Sequence, residues 1–166
     1  MSAYTVWQNH SIYNAADTLT DEERQCDRGA FFGSIHATLN HLLWADQRWL
    51  HRLSGTPNPA QPDVPNSVRE HETWEALKTA RVFTDKAFID WSMAVTEEEL
   101  AGDLSWYSAN DQTQLVRPKW TVVCHVYNHG THHRGQVHAM LTAAGAKPDD
   151  TDVLYLKSEY VPWSDW

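Results

Sequence analysis

Asn128-His129-Gly130-Thr131-His132-His133-Arg134-Gly135-Gln136 lies in the middle of a longer segment, Trp120 to Gly145, whose apolar spacing decides the fold. At 3.6 residues per turn its seam runs Val122, Val126, position 129, position 133, Val137, Met140 and Ala144. The two central places on the seam are His129 and His133. Side chains at i and i+4 on a helix stand about 5–6 Å apart at Cβ, so these imidazoles can reach one ion. The bland alternative is a pair of core histidines hydrogen-bonded to neighbouring helices. Two rings on adjacent turns of one seam favour shared coordination. His125 extends the row, but His125 and His133 lie about 12 Å apart along the axis, too far to share an ion. His125 with His129 is therefore a competing pair, further from the seam centre, and His132 points off the seam. A metalloprotease would need Glu directly after the first histidine, and Gly130 stands there.

Working outward, Gly29 and Gly33 precede a long helix over 33–54, with Ile35, Leu39, Leu42, Trp49 and Leu53 on one stripe and Leu43 and Leu50 beside it. Asp46 falls within that stripe, where a carboxylate needs a partner. It can orient a ligating imidazole, or pair with Arg134 or Arg48. Arg134 and Gln136 can receive an anionic substrate group, although a structural ion pair is the commoner fate of a helical arginine. His41, at the edge of the packed seam, is the best candidate for a third ligand, its alternative being a half-buried polar residue. His36, on the opposite flank, reads as surface.

Residues 3–18 predict a first helix, with Tyr4, Trp7, Ser11 and Asn14 along one face and Val6, Ile12 and Tyr13 beside it. Thr20-Asp21-Glu22-Glu23 has capping-box spacing. A proline-rich connection, 56–65, leads to Ser67-Val68-Arg69-Glu70, a further capping box opening a helix to about residue 94. Its seam takes Trp74, Leu77, Ala80 or Arg81, Thr84, Phe88 and Trp91. Thr96-Glu97-Glu98-Glu99 starts another short turn. Leu104-Ser105-Trp106-Tyr107 and Thr113-Gln114-Leu115-Val116, joined by 108–112, read as a hairpin. Pro118 enters the opening segment, and Gly145 and Pro148 end it. The aromatics of the tail, 149–166, dock it on the helices. The expectation is an all-α four-helix bundle, one domain over 1–166, with a small hairpin or irregular insertion between its third and fourth helices.

Composition narrows the function classes. With 22 acidic and 13 basic residues the formal net charge is −9, which disfavours a nucleic-acid partner. No stretch approaches the length of a membrane span, and Met1-Ser2-Ala3-Tyr4 lacks the features of a secretory leader. Cys26 and Cys124 form no Cys-x-x-Cys pair, and Cys124 reads as a small buried thiol. A reduced, cytoplasmic setting follows as an expectation.

The segment Arg28 to Asp46, followed by Trp49-Leu50, resembles the second helix of the DinB/YfiT-like family. The Asn128–Gln136 segment is similar to that family's other hallmark, and Tyr4, Trp7 and Asn9 match its first helix. The resemblance covers nearly the whole chain. It implies a four-helix bundle holding a divalent metal on three histidines, matched here by His41, His129 and His133, and it implies homodimers.

Three imidazoles leave a coordination position open, the arrangement of a catalytic site. Zn and Ni are the expected ions, since imidazole suits both. The resemblance points first to a transferase that uses a low-molecular-weight thiol on small electrophiles. The alternatives are a hydrolase using metal-bound water and a non-catalytic, stress-related metal- or ligand-binding protein. Asp46 and Arg134 are the candidates to act beside the ligands.

Overall fold

Side-chain caps start most of the helices in the computed structural model, which describes residues 1–108 and 111–162. Helix α1 spans Ser2–Asp17. Thr20 forms a full capping box with Glu23 at the start of α2 (Asp21–Gln25), as the spacing predicts. Ser34 accepts the amide N–H of Ala37 and opens α3 (Ile35–Ser54), which Gly55 closes in the left-handed conformation, φ 74°. Asp63 caps the short α4 (Val64–Ser67), and Thr73 caps α5 (Trp74–Ala94). Thr96 and Glu99 form the second capping box, at α6 (Glu97–Ala101). Strands β1 (Asp103–Ser108) and β2 (Thr113–Pro118) pair antiparallel, with Trp106 opposite Leu115, and β2 runs directly into α7 (Lys119–Ala143).

Two expectations change here. The Ser67-Val68-Arg69-Glu70 box opens no helix. Ser67 ends α4 and donates its hydroxyl to Val64 O, while the Glu70 carboxylate accepts the amide N–H groups of Ala60 and Gln61 at 2.8 and 2.9 Å. Those loop amides compete for the glutamate, so the third long helix begins seven residues later, at Trp74. On α1, Asn14 is exposed, whereas most other faces of the helix are buried. The tail is responsible. Tyr4 Oη donates to Thr151 O, Gln8 Nε2 to Asp150 O, and Leu156 packs with Tyr160 and Val161 against Ala3, Tyr4 and Trp7. Docking of the tail is therefore seen as far as Val161. Ala109 and Asn110 of the hairpin connection, and Trp163 to Trp166, lie outside the described residues.

The chain is mostly helical with one small two-stranded antiparallel sheet. Helix α3 packs on α5 and α7, and α1 packs on the same two helices. One apolar cluster joins Ile12, Ile35, Leu39, Leu43, Leu77, Val137 and Leu141, and another joins Leu50, Phe88 and Val126. Early α3 thus meets late α7, and late α3 meets early α7, so the two helices run antiparallel. His129 and His133 fall between Val126 of one cluster and Val137 of the other. No helix is long and apolar enough to cross a membrane among the described residues.

Candidate metal centre

The antiparallel packing of α3 and α7 brings His41, His129 and His133 together, and all three offer ligand atoms within 4.8 Å of one another. His129 Nε2 lies 3.4 Å from His41 Nε2 and 3.1 Å from His133 Nε2. Imidazoles sharing a tetrahedral ion at metal–nitrogen distances of about 2.0–2.1 Å place their nitrogens about 3.3–3.4 Å apart. The observed spacing fits that geometry.

Two neighbours fix which nitrogens carry protons. Ser67 Oγ uses its one hydrogen on Val64 O at 2.6 Å, so at 2.8 Å it accepts from His41 Nδ1. Gln136 Oε1 accepts from His133 Nδ1 at 2.8 Å. Both Nε2 atoms are then bare lone pairs aimed at His129 Nε2. Neutral His129 has one proton for two acceptors, or none, so two or three lone pairs converge with too few hydrogens. A cation resolves that conflict, and the donor set fits a divalent metal.

The surroundings keep these rings neutral. Phe32 stacks on His41 with centroids 4.0 Å apart and lies 5.5 Å from His133. A tight turn places it there. Gly33, at φ 78°, accepts from the Arg28 amide and donates to Ala30 O, turning Phe32 back over the centre. Burial, followed by mutual repulsion among the rings, pushes His41 and His129 down to about 3, and burial also lowers His133. At neutral pH each ring keeps a lone pair for coordination.

The other candidates fall elsewhere. Buried Asp46 accepts a hydrogen bond from neither an imidazole nor Arg134 nor Arg48, although Arg134 and His133 lie close enough to act on it electrostatically. It pairs with Arg81 of α5, whose Nη1 donates at 2.7 Å. Arg81 Nη2 also approaches Asp85 at 2.9 Å, an ion-pair contact without hydrogen-bond alignment, and Asn9 Nδ2 donates to Asp85 at 2.8 Å. The third seam takes both of its alternatives, since Arg81 is buried against two carboxylates and Ala80 packs on the apolar cluster. Arg134 is buried beneath Gly130, where an added Cβ would come within 2.9 Å of its Nη1. It lines a cavity between α1 and α7 with Tyr4, Gln8 and His138. Gln136 spends its Oε1 on His133. His36 is buried, its Nε2 3.2 Å from His71 O, because the segment before α5 folds across it. Cys124 is exposed. His132 is exposed, with its ring 4.9 Å from that of His133. His125 stands outside the three-histidine group and packs on Trp49 at 5.3 Å.

Ser67 and Phe32 carried no sequence signal for this role. Ser67 resembled a helix cap, and Phe32 belonged to a motif whose geometry appears only when the 28–33 turn closes. A cavity of about 420 Å³, lined by His129, Trp44, Trp49 and Trp106, opens beside the centre between α3, the hairpin and α7.

The DinB family model matches residues 1–163. The chain is also similar to Protein DinB of Bacillus subtilis (strain 168), at 28% identity over 162 residues, covering 92% of this chain and 90% of that protein. No solved structure matches it.

Proposed function

The chain belongs to the DinB family, and from that premise we propose that it is a divalent-metal-dependent transferase, moving a low-molecular-weight thiol onto small electrophiles. Family membership and the three-histidine cluster fit a metal-binding protein. The observation that carries the catalytic reading is the convergence of three Nε2 atoms at the wall of a cavity large enough for a small molecule. His41, His129 and His133 would hold the ion, with zinc or nickel suited to imidazole. When bound, the ion would supply Lewis acidity, holding a thiol as its thiolate at neutral pH. Ser67 and Gln136 orient two of the rings, and Phe32 excludes water from one side. In the reaction a carbon–sulfur bond forms as the bond to the leaving group breaks. The leaving group departs with the electron pair, and the thiol proton passes to water.

The same reading has the chain acting as a homodimeric, cytoplasmic four-helix bundle of one domain. The pairwise packing of α1, α3, α5 and α7 supports the bundle, and the family resemblance supports the dimer. The test uses protein purified without a histidine tag or nickel resin. Its metal content is measured, then it is incubated with bacterial thiols and an electrophile panel beside His129→Ala. Thiol-dependent conjugation lost in the variant is the expected result. Turnover without thiol would identify a hydrolase, and metal content near zero would remove the centre altogether.

A further inference from the structure

The cavity beside His129 carries two arginines against a single carboxylate in a protein that is acidic overall. Counting at 3.6 residues per turn, His41, Arg48 and Arg52 share one face of α3. Arg48 and Arg52 line the cavity together with Trp49, Trp106, His129 and one acid, Asp63. The guanidinium of Arg52 lies 4.5 Å from the ring centre of Trp49 and 5.4 Å from that of Trp106. Among the described residues it makes no ion pair with any carboxylate. Burial and the neighbouring Arg48 push it down to about 10, so it remains a cation at neutral pH.

Arg48 spends Nη2 on Gln61 O and Pro62 O, at 2.8 and 3.1 Å, and its buried Nε has no hydrogen-bond partner. Glu70 and Asp63 are the acids that act on Arg48 electrostatically. Asp63 already accepts from Asn66 N and Nδ2, and Glu70 from the amides of Ala60 and Gln61. Two like charges side by side against aromatic rings, one without a counterion, make an environment completed by an anion. The aromatic wall asks that the anion carry an apolar body.

We propose that this cavity binds a small organic carboxylate with an apolar or aromatic body, and that Arg52 takes its carboxylate. Identifying that ligand as the substrate rests on the proposed metal centre at His129; the binding itself does not. Calorimetric titration of the full-length protein compares 2-naphthoate with its neutral isostere 2-naphthamide, before and after metal removal by chelator and dialysis. A charge-assisted contact in a half-buried site predicts that the acid binds about tenfold or more tightly than the amide, with or without metal. Arg52→Met, which keeps much of the apolar stem, should bring the two affinities together, and Arg52→Lys should retain part of the preference. Equal affinities for acid and amide in the wild type overturn the proposal. So does a preference that survives Arg52→Met, or one that vanishes when metal is removed, since the carboxylate would then sit on the ion. Should Arg52→Met fail to fold by circular dichroism, the wild-type comparison and Arg52→Lys still decide. A protein that holds no metal yet prefers the acid would sink the transferase reading and leave this one standing.

Discussion

The hydroxyl of Ser67 decides the tautomer of His41, because its single proton goes to Val64 O. Removing it leaves the buried His41 Nδ1 without an acceptor and frees the ring to turn. Ser67→Ala should therefore weaken metal binding by about 10–100-fold while the fold persists, as loss of a ligand-orienting partner does elsewhere. Competition against a chromogenic chelator measures this, and wild-type affinity in the variant would show that Ser67 does not position the ring. The low pKa values of the ligands also set a pH dependence in the metal-free protein. His41 and His129 titrate near 3 when folded and near the ordinary 6.5 when unfolded. Between those values the unfolded chain binds more protons, so stability is lost as pH falls from about 6.5 toward 3. The buried carboxylates Asp46 and Asp85, raised by burial, act in the opposite sense. Comparison with His41→Gln isolates the histidine contribution. Urea midpoints of the metal-free wild type should fall more steeply below pH 6.5 than those of the variant, and parallel curves would contradict the neutral assignment.

At the scale of elements, Arg81 ties three helices together. It meets Asp46 of α3 and Asp85 of its own α5, and Asp85 in turn receives Asn9 of α1. Arg81→Met removes the cation and leaves two buried carboxylates facing each other. Breaking a buried pair in this way costs about 3–5 kcal/mol. The loss should appear as a lower denaturation midpoint with an unchanged slope, and a variant within about 1 kcal/mol of wild type would show that the carboxylates protonate at little cost. These elements differ in how far the sequence announces them. The α7 seam is readable because Val122, Val126, Val137 and Met140 are buried by a helix period that local order alone reveals. The capping boxes at Thr20 and Thr96 are readable because their bonds close within four residues. Ser67-Val68-Arg69-Glu70 has the same spacing, yet Glu70 is drawn to Ala60 and Gln61. Competition from a distant loop is invisible to local pattern. For the same reason two histidines of the candidate centre stand out on one helix, whereas His41 becomes firm only by family resemblance, and Ser67, Phe32 and the Asp46–Arg81 contact need the assembled helices.

For the whole molecule, the question is whether a metal would be needed to fold it. The apolar clusters around Leu39, Leu77 and Leu141, and around Leu50, Phe88 and Val126, involve none of the three histidines. The tail adds further burial on α1. A chain of 166 residues buries roughly 70% of its unfolded surface, enough to fold on such a core. Metal removal should therefore leave the helical circular dichroism intact, unlike a zinc finger, whose structure vanishes without its ion. The metal-free state nonetheless keeps converging lone pairs in a partly dry site, and a bound ion relieves them. At a free metal concentration about 1,000 times Kd the linkage term is about 4 kcal/mol. For a domain of this size that corresponds to a rise in melting temperature of about 8–16 °C. Thermal scans of chelator-treated protein, before and after addition of zinc or nickel to a free concentration of about 1,000 times Kd, should show that rise in the wild type and lose most of it in His129→Ala. Unfolding on chelation would overturn the view that the helices fold on their apolar clusters. An equal rise in wild type and variant would place the ion away from the three histidines.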